Sequence, residues 1–201
     1  MIKNVIFDFG QVLVRFDPIY MAGQYLSDKN DTAAVASVVF DRLYWDRLDD
    51  GTISDGETVE CAKARLPERL HEATEKAYYN WIYNIPEIKG MRGVVEFAKE
   101  KGARVFILSN ISRYFAEHEN EIPILKLAEK CIYSAVCGYT KPNADMFAYA
   151  CETCGILPEE TVFIDDSEKN IRGAESFGIK GYLFDGDAEK LKAFLETILV
   201  Q

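Results

Sequence analysis

Short apolar, β-branched runs alternate along this chain with helix-length amphipathic stretches, and that alternation leaves few folds open. The runs are Val5-Ile6-Phe7, Val105-Phe106-Ile107-Leu108, Ile132 to Val136 and Val162-Phe163-Ile164, with a weaker one at Gly181-Tyr182-Leu183-Phe184. Because they are continuously apolar, they suit strands buried on both faces. Between and after them, helical spacing covers Met91–Lys101, Ala144–Cys154, Glu168–Phe177 and Ala188–Leu199. The first three are followed by Gly102, Gly155 and Gly178, the residue type that best ends a helix. Strands alternating with helices predict a parallel sheet covered on both faces.

The alternation stops between about Asp17 and Pro86. This stretch reads as helices at Pro18–Leu26, Thr32–Leu43, Ser54–Leu66 and Leu70–Tyr83, with no convincing strand. Ser54-Asp55-Gly56-Glu57 has the spacing of a capping box. The expected organisation is an α/β core from residues 1–16 and 87–201, with an all-α cap at 17–86. A length of 201 residues suits one domain with such an insertion.

A net charge of −10 opposes binding to a phosphate backbone or docking on an anionic membrane. The first residues hold Asp8 and lack the pattern of a signal peptide, and no apolar run approaches membrane-spanning length. The cysteines, Cys61, Cys131, Cys137, Cys151 and Cys154, are odd in number. Reduced thiols in a cytoplasm are expected. Cys151-Glu-Thr-Cys154 is a lone pair within a helical pattern, a poor zinc or redox site.

In open parallel sheets, ligands bind at the carboxyl ends of the strands. Asp8 ends the first run, Ser109 and Asn110 the second, and Asp165 and Asp166 the fourth, while Lys141 follows the third within a few residues. A helix cap explains one aspartate at a strand end, not two. Carboxylates gathered near a third raise one another's pKa unless a cation lies among them. Mg²⁺ takes oxygen ligands of this kind. With it, the charges of Asp8, Asp165, Asp166 and Lys141 sum to zero, and the site can receive a phosphate dianion.

VIFDFGQVL, VFILSN, GYTKPNADMF and VFIDDSEKNIRGAESFGI, in this order, resemble the four motifs of the haloacid dehalogenase-like (HAD) hydrolase superfamily. The chain is similar to the branch that contains α-D-glucose-1-phosphatase and the phosphatase domain of soluble epoxide hydrolases. The resemblance implies a three-layer Rossmann-like parallel-sheet core with an inserted helical cap. It further implies a phosphatase of small phosphorylated metabolites, sugar phosphates among them. Asp8 would be the nucleophile of an aspartyl-phosphate intermediate. Asp8, the Gly10 carbonyl and Asp166 would hold Mg²⁺, with Asp165 acting through water. Ser109, the backbone N–H of Asn110 and Lys141 would hold the phosphoryl group.

Family phosphatases usually carry a second aspartate two positions after the nucleophile, as general acid and base. Here that position is Gly10. The loss suits a leaving group that needs no proton, such as an anomeric sugar phosphate or an acyl phosphate. Alternatively Asp46, Asp49 or Asp50 of the cap, or a water, supplies the proton. Two other functions stay open: a metal-free 2-haloacid dehalogenase, and a phosphate-binding regulatory protein with weak or no turnover. The cap aromatics, including Trp45 and Trp81, are expected mainly to fill its core, with a few at the substrate.

Overall fold

The computed structural model describes residues 1–199. Its sheet holds β1 (Asn4–Phe7), β2 (Arg104–Ser109), β3 (Lys130–Tyr133), β4 (Thr161–Asp165) and β5 (Lys180–Leu183), all parallel, in the order β3-β2-β1-β4-β5. The chain winds one way from β1 to β3 and the other way from β4 to β5. Asp8 therefore follows the strand at which the winding reverses, where such sheets open a crevice.

The continuous apolar runs have the expected cause. Val5, Phe7, Val105, Ile107, Val162 and Ile164 pack on one face; Ile6, Phe106, Leu108 and Phe163 pack on the other. The first face meets α6 (Met91–Glu100) and α11 (Ala188–Ile198) through Met91, Val94, Val95, Leu191 and Leu195. The second meets α9 (Ala144–Cys154) and α10 (Glu168–Phe177) through Met146, Phe147, Ile171 and Ala174. The result is a three-layer α/β core.

The cap is all-α: α1 (Pro18–Ala22), α2 (Lys29–Val39), α3 (Arg42–Asp49), α4 (Asp55–Ala64) and α5 (His71–Tyr79). The capping box forms, with Ser54 and Glu57 satisfying each other's backbone N–H groups. Where the cap leaves and rejoins the core, the two connections run side by side. Arg15 N–H donates to Pro86 O and Ile88 N–H to Leu13 O, at 2.8 and 2.9 Å.

Two expectations need correction. The third strand ends at Tyr133, and Ser134–Cys137 forms a short helix, α8, closed by Gly138 at φ 81°. A short apolar run does not by itself distinguish strand from helix. The helix expected at Thr32–Leu43 ends at Val39, and a separate α3, capped by the Asp41 carboxylate, follows it. Another short helix, α7 (Arg113–Glu117), follows β2. Cys151 and Cys154 lie buried in α9, where burial pushes each thiol up to about 11. That suits packing rather than redox chemistry. Among the described residues, no helix is long and apolar enough to cross a membrane.

Candidate active site

Sheet register brings the charged residues together. Phe7 pairs with Ile164, so Asp8 sits level with Asp165, and its N–H donates to Ile164 O at 2.8 Å. Side chains alternate along a strand, which turns both carboxylates to the face that α9 covers. Lys141 enters from the turn before α9. Its Nζ lies 2.8 Å from Asp8 Oδ1 and 2.7 Å from Asp165 Oδ2, with the side chain 1% exposed.

Asp165 is saturated by protein donors. Its Oδ1 accepts from Ser167 N–H at 2.8 Å, and the Asn170 amide reaches Oδ1 and Oδ2 at 3.1 and 3.0 Å. Asp8 Oδ1 also accepts from Phe9 N–H at 2.7 Å. Asp8, Asp165 and Asp166 each bring a carboxylate oxygen within 4.8 Å of the others. This all-oxygen, net-negative set fits a hard divalent cation. Because Asp165 is already engaged, Asp8, Asp166 and nearby carbonyls are the groups left to touch one directly.

Burial pushes the Asp8 carboxyl up to about 7, against the pull of Lys141. Burial also raises Asp166, and the Asp165 charge adds to it. At Lys141 burial opposes the charge, but Asp8 and Asp165 outweigh it and hold the pKa above the ordinary lysine value. A bound cation would reverse the two carboxylate shifts.

A cavity of about 540 Å³ opens over this cluster. Asp8, Gly10, Ser109, Asn110, Lys141 and Asp166 line it from the core, while Asp165 lies beneath, fully buried. Asn110 also clamps the Lys141 segment: its Oδ1 accepts from Lys141 N–H at 2.8 Å, and its Nδ2 donates to Lys141 O at 3.0 Å. From the cap side come Arg42, Asp46, Asp49 and Asp50, with Phe16, Trp45 and Trp81 as an aromatic wall. Trp81 stacks on Phe115, which contacts Phe9 beside Asp8, so aromatic packing joins cap to core.

Residues 2–178 match the family described as haloacid dehalogenase-like hydrolases. The chain belongs to that family.

Among its relatives is D-ribitol-5-phosphate phosphatase of Bacteroides thetaiotaomicron, 24% identical, covering 94% of this chain and 95% of the relative. A HAD family enzyme of the same organism, solved with magnesium and inorganic phosphate, shares the fold at TM-score 0.67, with 20% identity over 92% of this chain and 96% of that one. A dehalogenase structure is also similar, at TM-score 0.72 and 17% identity, covering 92% and 85%. The HAD fold thus accommodates both chemistries.

Two residues that shape this HAD site were given no role from the sequence, Asn170, which stands within the fourth motif, and Ser134. Asn170 carries a local signal, an amide in the first turn of a helix that begins just after Asp165. Ser134 carries none, because its partners are distant: Ile111 N–H donates to its Oγ at 2.9 Å, and its hydroxyl donates to Asp49 O.

Proposed function

We propose that this HAD hydrolase is a Mg²⁺-dependent phosphatase of small phosphorylated metabolites, polyol and sugar phosphates among them, working through an aspartyl-phosphate on Asp8. The observation that carries this reading is the Asp8–Lys141–Asp165 bridge on the cavity wall, with Asp166 beside it. The phosphatase relative supports it. A dehalogenase reading rests on the shared fold alone and leaves the Asp165–Asp166 pair without a task.

Asp8, the Gly10 carbonyl and Asp166 would hold Mg²⁺, while Asp165, whose oxygens are already taken by Ser167, Asn170 and Lys141, would contribute its charge and the seat of Lys141 in place of the water-mediated contact expected from the sequence. When bound, Mg²⁺ neutralises charge on the nucleophile and the phosphoryl oxygens. Lys141 orients Asp8 and adds a positive charge where the transferring group sits. Ser109 and the Asn110 N–H hold phosphoryl oxygens, and the cap excludes water. The cytoplasm remains the proposed compartment, since all five cysteines are free.

The test is phosphate release from a panel of polyol and sugar phosphates. Release should require Mg²⁺ and disappear in Asp8→Asn. Activity that survives chelation or that substitution sinks the reading. Metal-independent halide release from 2-chloropropionate would instead establish the dehalogenase.

A further inference from the structure

A Cβ built at Gly10 meets no atom within 4 Å. Packing therefore does not demand glycine there, and the space where the family's acid would stand is open to the cavity. A polyol phosphate releases a poor leaving group, an alkoxide, so on the phosphatase reading its proton must come from another group.

Three cap aspartates line the same cavity, and the structure separates them. Asp46 is paired with Arg42 at 2.7 Å. Asp50 accepts from Thr52 N–H and Oγ1 at 3.1 and 2.6 Å. Asp49 differs: its Oδ1 is buried without any hydrogen-bond partner. A carboxylate oxygen left in that state is costly, and such groups in folded proteins call for an explanation.

The Asp49 main chain is also fixed to the phosphoryl-binding end of the core. The Ser134 hydroxyl donates to Asp49 O and accepts from Ile111 N–H, the residue after Asn110. One hydroxyl thus ties the last turn of α3 to the loop proposed to hold phosphate, which keeps Asp49 in register with the reacting group.

We propose that Asp49 is the general acid and base of this enzyme, acting from the cap in place of the aspartate absent at Gly10. The proposal rests on the phosphatase reading above. In the first step an Asp8 oxygen bonds to phosphorus as the ester P–O bond breaks. Neutral Asp49 gives its proton to the departing alkoxide, which leaves as the alcohol. In the second, Asp49 carboxylate takes a proton from water as the water oxygen bonds to phosphorus. The P–O bond to Asp8 breaks, and inorganic phosphate leaves with both aspartates restored.

The charges around Asp49 suit both steps. Burial raises its pKa, Arg42 opposes, Asp46 and Asp8 add to the rise, and Lys141 opposes more weakly; the balance lies at about 7. An acid poised there can give and take a proton at neutral pH.

The test compares Asp49→Asn with the parent protein in single-turnover reactions with Mg²⁺. One probe is ribitol 5-phosphate, whose alkoxide needs a proton. The other is p-nitrophenyl phosphate, whose phenolate leaves without one. The ratio of the two rates, taken on one preparation, cancels any loss of folded protein. That ratio should fall about 10²–10⁴-fold against the polyol phosphate. The parent's rate on ribitol 5-phosphate should drop as rising pH deprotonates Asp49, whose pKa burial raises, and Asp49→Asn should lack that limb. Adding Gly10→Asp to Asp49→Asn should restore much of the ratio. An unchanged ratio in Asp49→Asn, with an unchanged pH profile, overturns the proposal. A parent protein inactive on both probes overturns the phosphatase reading instead.

Discussion

The side-chain amide of Asn170 bonds both carboxylate oxygens of Asp165, at 3.1 and 3.0 Å, and Lys141 rests on that same carboxylate at 2.7 Å. The lysine beside Asp8 is therefore aimed by a residue to which it makes no hydrogen bond. Asn170 sits in the first turn of α10, and Ser167 N–H, just before that helix, completes the seat of Asp165.

Asn170→Ala should lower kcat/KM on the best phosphate ester about 10–100-fold, the usual cost of losing an outer partner of a charged site. Hydrogen bonds to charged groups contribute about 1.5–3 kcal/mol each, so unfolding in denaturant should show a loss of that order. Full activity in this variant would mean that Lys141 holds its place unaided.

Gly173 is where α10 meets the segment carrying Lys141. A Cβ at this position would lie 2.5 Å from Pro142 O and 2.7 Å from Pro142 Cβ, closer than real contacts allow. Gly173→Ala must therefore displace the residue next to Lys141. Overpacking of this kind costs about 1–3 kcal/mol. A shift of ~1 Å at a reacting group can cost about 10²-fold in rate. The expected outcome is a larger loss in kcat than in stability, seen by steady-state kinetics beside thermal unfolding.

The strands and the charged residues at their ends were legible for one reason: strands buried on both faces leave uninterrupted apolar runs, and chemistry sits where those runs stop. Asp8, Ser109, Asn110, Asp165 and Asp166 all follow that rule. The helix Arg42–Asp49 was not legible, because only Trp45 and Leu48 are buried in its two turns, too few to show a period. Asp41, its cap, was the available signal. Contacts such as Asn110 with Lys141 and Ser134 with Asp49 join residues 31 and 85 positions apart; the pairing of β2 with β3 brings the first together, and the seating of α3 against α8 the second.

Ser134→Ala should separate the cap's role from the core's. It removes the donor to Asp49 O and the acceptor of Ile111 N–H, leaving buried backbone groups unpaired at about 1–3 kcal/mol. Mg²⁺ affinity should stay near the parent value, since the proposed ligands Asp8 and Asp166 are untouched. Turnover of phosphate esters should fall, because α3 is no longer fixed to the loop after β2. Calorimetric Mg²⁺ titration beside turnover distinguishes this from general unfolding, which would weaken both.

Metal-free protein should lose stability as pH rises from about 5 to about 7.5. Burial lifts Asp8 and Asp49 each to about 7, against 3.8 for an unperturbed aspartate. A group raised in this way contributes stability fully below its unfolded pKa and loses it as pH climbs through the folded one. Asp31, Asp41 and Asp185 are held low, the first by Arg69, the second by Leu43 N–H and Arg65, the third by Lys190. They act in the opposite sense, but their contribution fades only as pH falls below the unfolded value, so the window above about pH 5 belongs to the raised carboxyls, to which Asp166 adds in the same direction. The expected loss is on the order of 5 kcal/mol, two carboxyls each losing about 1.4 kcal/mol per pH unit over about two units, read as a falling Tm in chelator. Asp8→Asn should flatten the slope and raise the metal-free Tm near neutrality. Mg²⁺ should recover the parent's stability, because a ligand of the folded state adds RT ln(1 + [L]/Kd). A metal-free Tm that climbs steadily over this range would contradict the raised carboxyls at Asp8 and Asp49.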